Sequence, residues 1–300
     1  MDNTNIVFID DPVYSRNHNI FPWREYTTEE IQNDYNRLKK RLRNDNIKFP
    51  LIYCRMGLKC TDIFFQQCRL GTPSQSKKSC IAMWEKNTSK ILLTHYRRKK
   101  GDLFGTIVFM FHAPAHFPVY VAGMVYKYFN GTKIFDPYAG WGNRCLAAMA
   151  LDINYVGIDS NPDLVDPYKK LLSEYKYTSD ITFISNFSEN VDIESMKFDL
   201  VFTSPPFWND KIMLEKYSNS ETDYETFLNS SLFPVLEKCF KKGCPVCLYI
   251  NKKMYKSIEK KYGSYSEILE FKSPTNNKKN YGRINTIYCW NTGRNENYDL

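Results

Sequence analysis

The residues best suited to chemistry follow an apolar run, Phe198-Asp199-Leu200-Val201-Phe202, which stops at Thr203-Ser204-Pro205-Pro206-Phe207-Trp208. Two prolines fix the backbone and cannot donate N–H groups, so carbonyl oxygens stay free beside Ser204. The Ser204 hydroxyl and the Pro205 carbonyl together make an acceptor pair for an amino group, and Phe207 offers a flat face on which a planar ring can stack. Acceptors so placed stabilise positive charge developing on an amine nitrogen. The competing reading is a proline-rich strand end with two aromatics in the core. Chemistry needs a second site that delivers a reactive group.

That second site lies upstream. Lys133-Ile134-Phe135 reads as a strand running into Asp136-Pro137-Tyr138-Ala139-Gly140-Trp141-Gly142-Asn143-Arg144, with a helical run from Cys145 to Ala150. Gly140 and Gly142 allow a tight turn and close approach of a ligand to a helix N-terminus, where unpaired N–H groups point outward. The turn is not the dinucleotide fingerprint, because Cys145 stands where a third glycine or alanine is wanted and Asp136-Pro137 is foreign to that motif. Tyr155 to Asp159 reads as the next strand. It ends in a carboxylate 17 positions past Gly142, with Ser160 beside it, suited to ribose hydroxyls. Asp159 could instead cap the helix after Asn161-Pro162. A further strand, Ile181 to Ile184, leads to Asn186 and Phe187, placed to reach an aromatic base of a nucleoside cofactor.

The elements around these residues alternate between short apolar strands and helical stretches from about residue 105, the pattern of βαβ units. The expectation is an α/β, Rossmann-like fold with a mostly parallel seven-stranded sheet and helices on both faces. It divides into a catalytic domain over 105–300 and a basic extension over 1–104. In the extension, Thr27 and Glu30 form a capping box for an amphipathic helix ending near Asn44. That helix carries Arg37, Lys39, Lys40, Arg41 and Arg43, which either follow a phosphate backbone or form a solvated face. A second basic cluster includes Arg97 and Arg98, which with Trp208 beyond the proline pair are further candidate contacts to nucleic acid.

With 43% hydrophobic residues the chain can bury a full core, and its net charge of +8 suits a polyanionic partner. Nine cysteines, an odd count with no secretory leader, point to reduced thiols inside a cell. Cys239, Cys244 and Cys247 approach zinc spacing, but no fourth ligand lies nearby and Cys247 sits in a strand pattern, so no metal is expected. No apolar run reaches membrane-spanning length, so the expected protein is soluble.

Asp136-Pro137-Tyr138-Ala139-Gly140-Trp141-Gly142 and Thr203-Ser204-Pro205-Pro206-Phe207 resemble motifs I and IV of the S-adenosylmethionine-dependent amino-methyltransferases of DNA. Phe111 to Pro118 and the helix through Tyr128 are similar to motif X, which places His112, Pro114 and Phe117 near the methionine end of the cofactor. The order X, I, IV is that of one permuted class, and the resemblance covers roughly residues 105 to 292.

It implies a class I methyltransferase-like domain that binds S-adenosylmethionine through Asp136, Tyr138, Ala139, Gly140, Gly142, Asp159, Ser160, Asn186, Phe187 and Ser204. Catalysis then falls to Ser204, Pro205, Pro206 and Phe207. The reaction is in-line attack by a base amino nitrogen on the cofactor methyl, on a flipped or single-stranded base. Serine before the proline pair goes with N4 of cytosine in that family, where aspartate or asparagine goes with N6 of adenine. Trp141 and Asn143-Arg144 depart from its usual small residues. Adenine in DNA, RNA, a protein amide, and a non-catalytic binding partner remain as alternatives. Recognition of DNA is assigned to the basic extension and to residues 209–222.

Overall fold

A computed structural model describes residues 21–73, 78–98, 102–207, 224–273 and 283–293, except some side chains in the second half of one helix. It divides the chain into two compact units. The smaller comprises 1–25 and 70–114, the larger 26–69 and 115–300.

The larger unit is built on one eight-stranded sheet. Its strands are β1 (Leu51–Ile52), β2 (Lys133–Asp136), β3 (Asn154–Asp159), β4 (Ile181–Ser185), β5 (Leu200–Thr203), β6 (Val246–Tyr249), β7 (Glu267–Ser273) and β8 (Arg283–Trp290). They lie in the order β1-β7-β8-β6-β5-β2-β3-β4. All neighbouring pairs are parallel except those of β8, which is antiparallel to both β6 and β7. This is the expected mostly parallel, Rossmann-like α/β sheet, with one strand more than the predicted seven. The addition is β1, two residues paired with Phe271 and Lys272 of β7. A strand that short has no periodicity to betray it.

Strand residues alternate between two cores, as the period of 2 requires. Ile134, Tyr155, Leu200, Phe202 and Cys247 face one apolar cluster. Helices α1 (Thr28–Asn44), α2 (Leu58–Gly71), α5 (Val119–Tyr128), α6 (Asn143–Leu151) and α7 (Val165–Glu174) contribute to that cluster. Phe135, Ile158, Val201, Val246 and Leu248 face the other, where α8 (Tyr224–Phe227), α9 (Phe233–Phe240) and α10 (Lys252–Tyr262) pack. Helices thus cover both faces, because strands buried on both sides must have partners above and below.

α1 begins where the sequence places it. Thr27 accepts from the Glu30 N–H at 3.1 Å and Glu30 accepts from the Thr27 N–H at 3.0 Å, while Ile31, Tyr35, Leu38 and Leu42 face inward.

The smaller unit contains α3 (Cys80–Arg98) and α4 (Leu103–Phe111) around a core of Phe21, Trp84, Ile91, Phe104 and Ile107. Asp102 caps α4 by accepting from the Gly105 N–H at 2.7 Å and pairs with Arg24 at 2.8 Å.

All nine cysteines are unbridged. Among the described residues no helix is long and apolar enough to cross a membrane, and no cluster of three His, Cys, Asp or Glu side chains could hold a metal.

Candidate functional site

From β2 the chain winds outward through β3 to β4, then returns to place β5 and β6 on the other side of β2. The order reverses between β2 and β5. In open α/β sheets the crevice outside the carboxyl ends of the strands at that reversal is where ligands bind. The glycine turn follows β2 and Ser204 follows β5, so the two motifs sit at this switch point.

Gly140 (φ 59°) and Gly142 (φ 71°) both adopt left-handed backbone. At Gly142 an added Cβ would stand 2.8 Å from the Phe65 ring, so packing alone demands glycine. At Gly140 it would meet nothing closer than 4.0 Å, so the space over the turn is open. The turn is held from behind. The Ala139 N–H bonds the Ile158 carbonyl at 2.8 Å, and the Gly140 carbonyl accepts from the Tyr168 hydroxyl at 3.2 Å. Gly142 caps α6 without a side chain, leaving the first N–H groups of that helix facing the crevice.

Asp159, at the end of β3, accepts from the Gly140 N–H at 2.9 Å and the Asn161 N–H at 3.0 Å. The helical capping role goes to Asn161, whose side chain accepts from the Asp163 N–H at 3.1 Å. Asp159 is therefore free of the cap that the sequence allowed it. Burial pushes its carboxyl above the usual range, against the two N–H donors that pull it down. Ser160 beside it is half-buried. At the end of β4, Asn186 is exposed and turns its side chain to the Phe187 N–H at 2.8 Å, while the Phe187 ring is 43% exposed.

Asp136 has a different position from the one expected. It is fully buried, and its carboxylate accepts from Arg144 Nε at 2.6 Å, the Tyr155 hydroxyl at 2.7 Å and the Thr203 hydroxyl at 2.6 Å. It clamps β2 to β3, β5 and α6 instead of facing a ligand. Burial works against the Arg144 cation, and the Asp136 charge more than offsets it, so the guanidinium pKa lies above its ordinary value. Tyr138 reaches the same clamp through its N–H, 3.1 Å from the Thr203 hydroxyl oxygen.

Ser204 is half-buried, and its hydroxyl has no hydrogen-bond partner among the described residues. Pro205 is buried and Pro206 half-buried. The Phe207 ring lies 5.1 Å from the Tyr249 ring at 60°. Phe117 is a core residue, packed against Phe202, Tyr249 and Phe271. His112 and Pro114 belong to the smaller unit, where His112 (φ 49°) ends α4. Trp208 and the side chains of Arg97 and Arg98 lie outside the described residues, as do residues 209–222.

The basic face of α1 is not at this site. Arg43 and Lys39 meet Asp152 at 3.2 and 3.7 Å, and Arg41 pairs with Asp45 at 2.7 Å. Asp152 ends α6, the helix that Gly142 begins, and nine helical residues span about 13 Å. α1, with exposed Arg37 and Lys40, is therefore anchored at the amino edge of the sheet, away from Ser204.

Sequence reasoning missed a polar network behind the glycine turn. Asp62 Oδ1 bonds Arg69 Nη2 at 2.7 Å and His116 Nε2 at 2.9 Å, and His116 Nδ1 lies 3.3 Å from Asn143 Oδ1. Asn143 Nδ2 reaches Thr61 at 3.0 Å. The signal was present in the unusual Asn143-Arg144 pair. Each of the two side chains has a dedicated buried partner elsewhere in the chain.

No family model and no curated protein matches this chain. Solved structures do. A tRNA (uracil-54, C5)-methyltransferase of Pyrococcus abyssi, in complex with S-adenosyl-L-homocysteine, is 14% identical over 57% of this chain, with a TM-score of 0.37. The match spans only 38% of that protein's length. A methyltransferase from Geobacter sulfurreducens is 9% identical over 68% of this chain and 88% of its own, with a TM-score of 0.34.

Proposed function

We propose that this chain is an S-adenosylmethionine-dependent methyltransferase acting on the exocyclic amino group of a nucleic-acid base, with N4 of cytosine in DNA as its target. One observation carries the reading. Ser204, its hydroxyl unengaged, and the proline pair stand at the end of β5, across the switch point from an open glycine turn that starts a helix.

The residues at the turn fit the cofactor. The open side of Gly140 admits a ligand to the backbone, and Asp159 keeps lone pairs beyond the two it gives to N–H donors, available to ribose hydroxyls. The exposed Phe187 ring and Asn186 suit an adenine ring. Tyr138, Ala139, Gly142 and Ser160 complete the cradle. When bound, S-adenosylmethionine supplies a methyl group activated by a positively charged sulfur.

The chain's own part is positioning. Ser204 Oγ and the Pro205 carbonyl accept hydrogen bonds from the two amino N–H groups, which draws the nitrogen lone pair out of conjugation with the ring and stabilises the charge that grows there until one proton leaves to water. Phe207, braced by Tyr249, holds the base flat. Serine at 204 favours cytosine on the strength of the family resemblance.

The test is mass spectrometry of nucleosides from DNA and RNA incubated with the protein and S-adenosylmethionine, with Ser204→Ala in parallel. The expected product is 4-methylcytosine in DNA, reduced roughly 100-fold in the variant while cofactor affinity is kept. Appearance of 6-methyladenine overturns the choice of base, and product in RNA alone overturns the choice of polymer. Tight cofactor binding with no methylated nucleoside in either polymer overturns the nucleic-acid reading.

A further inference from the structure

α2 precedes the alternation of strands and helices in the chain, yet one of its faces is spent on the glycine turn. Thr61, Phe65 and Cys68 stand at i, i+4 and i+7, so they line one side of the helix. Thr61 and Phe65 are fully buried. Each of the three meets a different piece of the frame around the crevice.

Phe65 lies against Gly142, where its ring stands 2.8 Å from any Cβ that position could carry. The same ring meets the Tyr168 ring edge-on at 5.1 Å and 84°, and the Tyr168 hydroxyl donates to the Gly140 carbonyl at 3.2 Å. Tyr168 is in turn stacked on Phe183 of β4 at 3.8 Å. Both glycines of the turn are thus held through one ring of α2.

Thr61 holds the residue after the turn. Its hydroxyl donates to the Leu58 carbonyl at 3.3 Å, which leaves its lone pairs to accept from Asn143 Nδ2 at 3.0 Å. Asn143 Oδ1 faces His116 Nδ1 at 3.3 Å, and His116 is held by Asp62, the neighbour of Thr61. Asn143 is buried and is the first residue of α6, so both ends of its side chain are fixed behind the start of that helix. Cys68 reaches the other rim. It donates to the Asp163 carbonyl at 3.3 Å, two residues past Asn161, whose N–H bonds Asp159.

Resting on the function proposed above, we infer that α2 is part of the cofactor site: Phe65 and Thr61 are positioning residues that set the shape of the Gly140–Gly142 turn and the start of α6 without touching the cofactor. A stretch read in sequence as part of a basic extension therefore contributes to S-adenosylmethionine affinity. Two glycines lose more backbone freedom than other residues when a turn is ordered. Bracing from α2 meets that cost before the ligand arrives, and preorganisation of this kind is read as affinity.

The test is calorimetric titration with S-adenosylmethionine, beside thermal unfolding of each protein, for the wild type, Thr61→Val, Thr61→Ser, Phe65→Leu and Ile258→Val. Thr61→Val keeps the shape and removes the acceptor, and Thr61→Ser keeps the acceptor. Ile258→Val, on α10 in the other core, lowers stability away from the turn. Titrations are run well below the lowest unfolding midpoint, so that every variant is folded. Thr61→Val and Phe65→Leu are expected to lose about 10-fold in affinity, within the worth of a buried donor left unpaired, with Thr61→Ser and Ile258→Val within about 2-fold of the wild type. Wild-type affinity in both Thr61→Val and Phe65→Leu, at lowered midpoints, shows that α2 only supports the fold. That result overturns this inference and leaves the proposed function standing, as does an equal loss of affinity in Ile258→Val. A folded wild type that does not bind S-adenosylmethionine overturns both.

Discussion

Asp159 shows how one carboxylate is held in readiness. Its two backbone donors come from the glycine turn and from the start of the next helix, so it joins the two pieces that frame the proposed cofactor crevice. Burial raises its pKa, which means the folded chain holds the charged form at a disadvantage that a ligand's hydroxyls would relieve. Asp159→Asn keeps the shape and removes the charge. We expect S-adenosylmethionine affinity to fall about 10- to 100-fold, the worth of hydrogen bonds to a charged acceptor. Calorimetric titration of wild type and variant checks this, and equal affinities would remove Asp159 from the cofactor site. Asp136, which the sequence ranked beside it, is spent on Arg144, Tyr155 and Thr203.

At the scale of elements, α2 and α6 are joined by the Asp62–His116–Asn143 chain of hydrogen bonds. Burial opposes ionisation of Asp62, but the bond from His116 and the Arg69 charge outweigh it and hold the carboxyl well below the usual range. His116 moves downward too, because burial and the Arg69 charge exceed the pull of Asp62.

A histidine whose folded pKa is depressed binds its proton less readily folded than unfolded. Stability is therefore full above the ordinary imidazole range near 6.5 and falls as pH drops through it. Asp62 has the same sign at lower pH. The denaturation midpoint should fall between about pH 7.5 and 5.5, and His116→Gln should flatten that dependence. An equal pH slope in wild type and variant would show that other groups carry it. Because α6 begins at the glycine turn, the same acidification is expected to loosen the cofactor cradle.

For the molecule as a whole, the two units are expected to answer differently to the proposed cofactor. All the residues that fit it at the turn, from Tyr138 to Phe187, belong to the larger unit. At 100 times its dissociation constant the cofactor stabilises that unit by about 2.7 kcal/mol. Hydrogen exchange should slow in residues 136–142 and 159–161, with the segment 80–111 unchanged. Protection spread evenly over both units would mean that the smaller unit takes part in binding.

Much of this was legible from the chain. The α1 capping box, the strand–turn–helix around Gly140 and Gly142, the strand ending at Asp159 and the Ser204 segment are local patterns. Turn geometry, capping and period-2 burial are decided within a few residues. What the chain could not show is non-local. Asn143 and Arg144 look anomalous until Thr61, His116 and Asp136 are brought beside them from distances of 82, 27 and 8 residues. β1 exists only because β7 offers it an edge.

The basic residues are the clearest case. A run of cations on an amphipathic helix looks the same whichever way the helix lies, and only its contact with Asp152 sends α1 to the amino edge. Arg283, unremarkable in sequence, is carried past the end of β6 because β8 outruns it. Composition sets the amount of charge, and packing of distant elements sets which edge of the sheet receives it.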